Sequence, residues 1–241
     1  MKNLICAALA IAVFACAPAN NTNTASDTAA TSATAVTATN TTTAPTTGAA
    51  PNTATMPKAG DEAKPAGYYD NKIAELHTTA GEIDIRFFPD KAPNHVKNFI
   101  DLSEKGFYNG TKFHRVIPGF MIQGGDPNTI SGDTSTWGAG GSGRNVNAEF
   151  NNVHHARGIV SMARSDDPNS ASSQFFICVA DAPSLDGQYT VFGEVTKGMD
   201  VADKIVEAPR GERDRPNNPT TIEKVVIRDA KPGEGVGEKN K

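Results

Sequence analysis

Arg115 and Gln123 flank a Pro118-Gly119 pair in the run Phe113-His114-Arg115-Val116-Ile117-Pro118-Gly119-Phe120-Met121-Ile122-Gln123-Gly124-Gly125-Asp126. A Pro-Gly pair favours a tight turn, which folds the two flanking runs against each other. Arg115 and Gln123 would then lie near one another, beside Phe120 and Met121. One cation and one amide above an apolar patch suit a small apolar group flanked by a peptide bond. A plainer reading stands beside this one. In it Phe120 and Met121 are core, and Arg115 is a solvated surface charge.

Other chemistry-bearing patterns fail on context. Gly138-Ala139-Gly140-Gly141-Ser142-Gly143 has dinucleotide-loop spacing, but polar residues stand where a strand and a helix should flank it. Arg144 replaces the last glycine of a nucleophile elbow. Asp126-Pro127-Asn128 opens like a calcium loop, but Ser131 occupies the obligatory glycine position. The adjacent His154 and His155 would point to opposite faces of a strand and would not share one metal easily. Cys178 lies in the apolar run Phe175-Phe176-Ile177-Cys178-Val179 and reads as a small buried hydrophobe. No metal and no cofactor are expected.

These residues need a scaffold, and the chain supplies one unevenly. It has 241 residues, 38% of them hydrophobic, and a formal net charge of −4. The mild acidity and the absence of a long Lys/Arg run argue against nucleic-acid partners. Three cysteines are too few for a disulfide framework. After Met1-Lys2-Asn3, an apolar run of about eleven residues extends from Leu4 to Phe14. It is too short to span a bilayer, which takes about 20 residues, and it fits a secretory signal. The run ends in Val13-Phe14-Ala15-Cys16, which resembles a bacterial lipobox with Cys16 as the lipidated residue, although Phe14 is bulkier than usual there. Residues 1–15 are therefore expected to be a signal peptide. Residues 16–66 are expected to be an Ala/Thr/Asn-rich tether, because they hold too little apolar surface to offset ordering entropy. The folded domain is placed at residues 67–230, with a polar tail at 231–241. The protein is expected to be exported and lipid-anchored on the periplasmic or cell-surface side of a bacterial membrane, and to act as a monomer.

Within the domain, residues 72–77 and 82–87 alternate apolar and polar around a short loop with Gly81, which predicts a hairpin. Pro93, the spacing of Val96, Phe99, Ile100 and Ser103, and Gly106 predict a helix. Short strands are predicted at residues 111–117, 120–123, 158–163, 175–179, 190–194 and 221–227. A second helix is predicted at 198–208, with Val201, Ala202, Ile205 and Val206 inward. The pattern predicts a mostly antiparallel barrel or sandwich with helical caps.

The Phe113–Asp126 run resembles the signature of the cyclophilin-type peptidyl-prolyl isomerases. Gly158-Ile159-Val160-Ser161-Met162-Ala163, Ser172-Ser173-Gln174-Phe175-Phe176-Ile177 and Leu185-Asp186-Gly187-Gln188-Tyr189-Thr190-Val191-Phe192-Gly193 resemble further blocks of that family, in family order. The resemblance covers about residues 70–230 and says nothing of residues 1–66. It implies a mostly β fold: a closed eight-stranded antiparallel barrel capped by two α-helices. It implies cis–trans isomerisation of X-Pro bonds in proline-containing polypeptides, with no cofactor. Arg115 would be the catalytic cation, oriented by Gln123. Phe120, Met121, Phe176 and Leu185 would form the proline pocket. Ala163, Arg164 and Gln174 would hold the chain preceding proline, and Tyr189 would line the site. Three departures stand out from the better-known eukaryotic pattern. Ser184 falls where many members have Trp, whose indole donates a hydrogen bond to the cyclic peptide cyclosporin. Tyr189 replaces His. Arg164 replaces Asn, in a stretch one residue longer. A lipid-anchored module that holds proline peptides without turnover is the competing expectation.

Overall fold

The structure is a computed structural model that describes residues 64–232 and 234. The expected signal peptide, Cys16, nearly all of the tether and most of the tail lie outside these residues.

The first two strands, β1 (Lys72–Thr78) and β2 (Gly81–Phe87), form the predicted hairpin, paired from Ile73↔Arg86 to Thr78↔Gly81. Thr78 closes its turn through Oγ1, which accepts from the Ala80 N–H at 3.1 Å and donates to the Gly81 carbonyl at 2.6 Å. Helix α1 (Pro93–Glu104) follows, with Pro93 in the first turn and His95, Val96, Phe99, Ile100 and Ser103 buried. Its end is a Schellman motif. The Gly106 N–H reaches the Ser103 carbonyl, the Phe107 N–H reaches the Leu102 carbonyl, and Gly106 takes the left-handed φ of 69° that this geometry requires.

The start of α1 is capped from far along the chain. Ala92 offers no side-chain cap. Glu149 instead accepts the Asn94 and His95 backbone N–H groups at 3.1 and 3.0 Å, the Asn94 side-chain amide at 2.7 Å, and meets His95 Nδ1 at 2.6 Å. Burial pushes the Glu149 carboxyl up, but the His95 and Asn94 donors outweigh it and hold its pKa below the usual range. A depressed folded-state pKa stabilises the protein above the unfolded value, and the stabilisation is lost as pH falls through the folded value. Glu149→Ala is expected to cost about 1–2 kcal/mol at neutral pH, as lost helix caps do. In urea titrations the gap to wild type should narrow in acid. A gap of constant size across that range would contradict the cap.

The remaining elements are β3 (Arg115–Ile117), β4 (Met121–Gly124), β5 (Ile159–Met162), β6 (Phe175–Cys178), β7 (Val191–Lys197), α2 (Met199–Val206) and β8 (Ile222–Asp229). In α2, Val201, Ala202, Ile205 and Val206 are the buried residues, the face read from the sequence. The strands form one antiparallel sheet in the order β3-β4-β6-β5-β7-β2-β1-β8. Its concave side holds the main core, in which Phe99 packs on Phe87, Tyr108, Phe175 and Phe192 at ring distances of 4.9–5.7 Å.

The expected closed barrel is corrected here: the sheet is an open, curled half-barrel. Its two edge strands, β3 and β8, form no ladder with each other. Of the strand expected at residues 111–117, only the last three residues join the sheet. The preceding stretch meets the start of β8 through a single bridge, Lys112↔Thr221, with backbone bonds from Phe113 to Thr220 and between Thr111 and Ile222. The contact stops there because the Lys112 N–H is taken by Thr129 Oγ1 at 2.9 Å and Lys112 also bridges to Asp126, so the ladder does not continue along the edges.

Candidate active site

The β3–β4 hairpin turns at Ile117-Pro118-Gly119-Phe120, closed by the Phe120 N–H to the Ile117 carbonyl at 3.0 Å. Proline at the second position and a glycine at φ 72° in the third define a type II turn. It sets the register Arg115↔Gln123, Val116↔Ile122 and Ile117↔Met121.

Strand alternation then sorts every residue by face. Val116, Ile122, Val160, Met162, Phe175 and Ile177 enter the main core. The residues between them lie on the convex side. Across it runs one row set by pairing: Arg115 opposite Gln123, Gln123 opposite Phe176, and Phe176 opposite Ser161.

Beside this row stands a second apolar cluster, separate from the main core. Met121, Phe176, Cys178 and Ala182 are its buried members, with Ile117, Phe120, Ala163, Leu185 and Tyr189 packed against them. Six residues assigned to substrate contact from sequence therefore meet in one patch: Phe120, Met121, Ala163, Phe176, Leu185 and Tyr189. The Tyr189 ring stands edge-on to Phe176 at 5.7 Å. Cys178 lies within the cluster, and burial pushes its thiol up to about 12, so it stays protonated and inert.

The polar residues divide differently from the sequence expectation. Gln123 and Arg115 are cross-strand neighbours, but the Gln123 amide donates to Gln174 Oε1 at 2.9 Å. Gln174 in turn donates to the carbonyls of Gly138 and Gly140 at 2.9 and 2.8 Å. The Gly-rich stretch is thus a wall pinned to the site and not a phosphate loop. Arg115 is 43% exposed, and its Nε faces Asp214 Oδ2 at 3.6 Å. Arg164 folds back on its own loop: Nη1 donates to the Ser165 carbonyl at 2.8 Å and Nε to the Gln188 carbonyl at 3.1 Å, with the guanidinium 4.8 Å from the Tyr189 ring centre. Its side chain ties its own loop to Gln188, and Ala163 packs against the apolar patch.

The histidine pair is structural and surface, as read from the sequence, but two sets of partners escaped that reading. His155 is fully buried, stacked on Phe176 at 6.1 Å, with Nδ1 on Asp186 at 2.9 Å and Nε2 on Ser161 Oγ at 3.2 Å. It braces Phe176 from the side. His154 is exposed yet reaches the other oxygen of the same Asp186 at 2.6 Å. Trp137, Gly138 and Arg213 to Arg215 converge with His114, Arg115 and Gln123 on a cavity of about 340 Å³. No local sequence signal announces either group, because the partners lie far apart in the chain.

The mostly β fold with two helices is shared with solved cyclophilin structures. Residues 73–227 match the family model described as cyclophilin type peptidyl-prolyl cis-trans isomerase/CLD. A probable peptidyl-prolyl cis-trans isomerase of Brucella abortus is 47% identical over 152 residues, covering 61% of this chain and 78% of its own length. Peptidyl-prolyl cis-trans isomerase A of Dickeya dadantii is 46% identical over 161 residues, covering 65% and 82%. A Cryptosporidium parvum cyclophilin, crystallised in the presence of the dipeptide Ala-Pro, superposes with a TM-score of 0.59 at 33% identity, covering 65% of this chain and 99% of its own. The chain belongs to the cyclophilin-type peptidyl-prolyl cis-trans isomerase family. It is a peptidyl-prolyl cis-trans isomerase, as the sequence resemblance implied.

Proposed function

We propose that the convex face of β3, β4, β5 and β6 binds the proline ring in the Phe120–Met121–Phe176–Leu185 patch and rotates the bond before it with Arg115. The observation that carries this reading is the row Arg115–Gln123–Phe176–Ser161, which sets the cation at one end and the apolar floor next to it.

The chemistry needs little more. Rotation about an X-Pro bond faces a barrier of ~18–20 kcal/mol because the C–N bond is partly double. In the twisted amide that conjugation is lost, and the nitrogen gains a lone pair. A donor aimed at that lone pair favours the twisted form over both planar forms. Arg115 stays charged and carries several donors in a rigid fork. Gln123, oriented by Gln174, presents its amide to the substrate backbone, and the main chain of Ala163 and Arg164 with Gln174 holds the residues before proline. Tyr189 supplies an aromatic wall. Peptide isomerisation by the purified protein tests this reading. A module that only holds proline peptides would bind them without accelerating exchange.

The same reading places the enzyme outside the cytoplasm, acting on exported polypeptides from a lipid anchor on Cys16. It is supported by the apolar run ending in Val13-Phe14-Ala15-Cys16 and by the long Ala/Thr/Asn-rich stretch before the domain. Cys16→Ser is expected to move the protein from the detergent phase to the aqueous phase, or to leave its signal uncleaved. Equal partitioning of variant and wild type would leave Cys16 without this role.

A further inference from the structure

A recess opens beside Arg115 that shares no residue with the apolar cluster. Three arginines line it: Arg115, Arg213 and Arg215. Its one carboxylate, Asp214, is already divided between Arg115 and Arg210, each 3.6 Å away. Arg213 and Arg215 have no carboxylate partner among the described residues. Arg215 lies 5.4 Å over the Trp137 ring, which holds its guanidinium in place.

The recess also contains unmet hydrogen bonds. The indole N–H of Trp137 is buried and has no acceptor. His114 is 5% exposed, and its ring nitrogens have no side-chain partner. Burial pushes the His114 pKa down, with Arg115 and Arg215 adding to it and Asp126 and the Lys112 backbone opposing, so the ring is neutral and supplies one N–H. Buried donors left empty are costly, and they mark where a ligand's acceptor belongs. Guanidinium and indole groups donate only, so the matching group is an acceptor bearing negative charge.

The position of the recess says which part of a substrate reaches it. Ala163, proposed to hold the chain before proline, follows β5. Arg115 lies on the edge strand β3, with β6 and β4 between. On that proposed placement, the chain after proline would leave over β3 and the recess. We infer that this recess is a subsite for a carboxylate carried by the residues following proline, so that the enzyme favours substrates acidic on that side. The inference rests on the proposed placement of the proline ring and of Arg115.

Trp137 is the only tryptophan in the chain. Its fluorescence therefore reports occupancy of the recess without requiring turnover. The full chain in detergent would be titrated with three Ala-Pro peptides: amidated with Glu after proline, amidated with Gln there, and the Gln peptide with a free C-terminal carboxylate. The Glu peptide is expected to bind about fivefold tighter than its amidated Gln counterpart at low salt, with the advantage fading at high salt. An advantage confined to the free-acid peptide would also support the subsite and assign it to a chain terminus. Arg213→Asn combined with Arg215→Gln should abolish the preference and leave turnover of the amidated Gln peptide unchanged. Asn tolerates the left-handed backbone at 213, where φ is 59°. Equal binding of all three peptides by wild type, or a preference that survives the double substitution, overturns the subsite. Absence of turnover on every peptide would instead overturn the reading of Arg115, while the Trp137 titration still decides the subsite.

Discussion

Replacing Arg115 with alanine is expected to lower kcat/KM on an Ala-Pro peptide about 100- to 1000-fold while the protein stays folded. The magnitude is that of one lost donor to a charge or lone pair that exists only in the transition state. Folding should be spared because Arg115 is 43% exposed and its one ion pair, with Asp214, is long and solvated. Val116, its neighbour, faces the core instead. Arg115→Lys tests the geometry separately. Lysine keeps the charge but not the fork, so it should recover only part of the rate. Unfolding curves matching wild type, together with the rate loss, establish the mechanism. A folded Arg115→Ala enzyme with near wild-type turnover would remove Arg115 from it.

The second large effect concerns cyclosporin. Ser184 sits on the short turn Pro183–Leu185 at the patch rim and is exposed. Its carbonyl accepts from the Gln188 side chain at 2.7 Å, which fixes the turn next to Leu185 and Tyr189. The small hydroxymethyl group leaves uncovered the rim that an indole would fill in better-known family members. Losing an aromatic contact and one hydrogen bond together costs roughly 1–3 kcal/mol, or about 5- to 150-fold in affinity. The enzyme should therefore be active yet poorly inhibited, and Ser184→Trp should regain part of the affinity. Small proline peptides should be much less affected, because their ring rests on Met121 and Phe176. Inhibition of the unaltered enzyme at stoichiometric cyclosporin would show that another residue fills the place of Trp.

What the sequence made legible was local or periodic. The β1–β2 hairpin, the start and stop of α1, the inward face of α2 and the Pro118-Gly119 turn each follow from neighbours within a few positions. The grouping of Phe120, Met121, Ala163, Phe176, Leu185 and Tyr189 came from family resemblance, since no periodicity links residues so far apart. What stayed hidden depends on long-range meetings. The partner of Arg115 is Asp214, on a loop where Arg213 and Asp214 both take positive φ without being glycine. The acid beneath His155 is Asp186, 31 residues away. Barrel closure was overestimated for a related reason. The apolar content of residues 111–117 suits a strand, but the contact with β8 ends after a few bonds, because the Lys112 N–H is taken by the Thr129 hydroxyl, 17 residues away, instead of continuing the ladder.

The two-faced use of β3, β4, β5 and β6 has an evolutionary consequence. Neighbouring codons in these strands answer to different demands. Val116, Ile122, Phe175 and Ile177 hold the fold together, whereas Arg115, Gln123 and Phe176 meet whatever binds outside. A lineage can therefore change its clientele at the half-exposed polar positions Arg115 and Gln123 with little penalty to thermal stability, whereas Met121 and Phe176, buried in their own cluster, are held by packing as well as by what they bind. Function carried on a surface and stability carried behind it are separately adjustable, which suits one scaffold to many polypeptide partners.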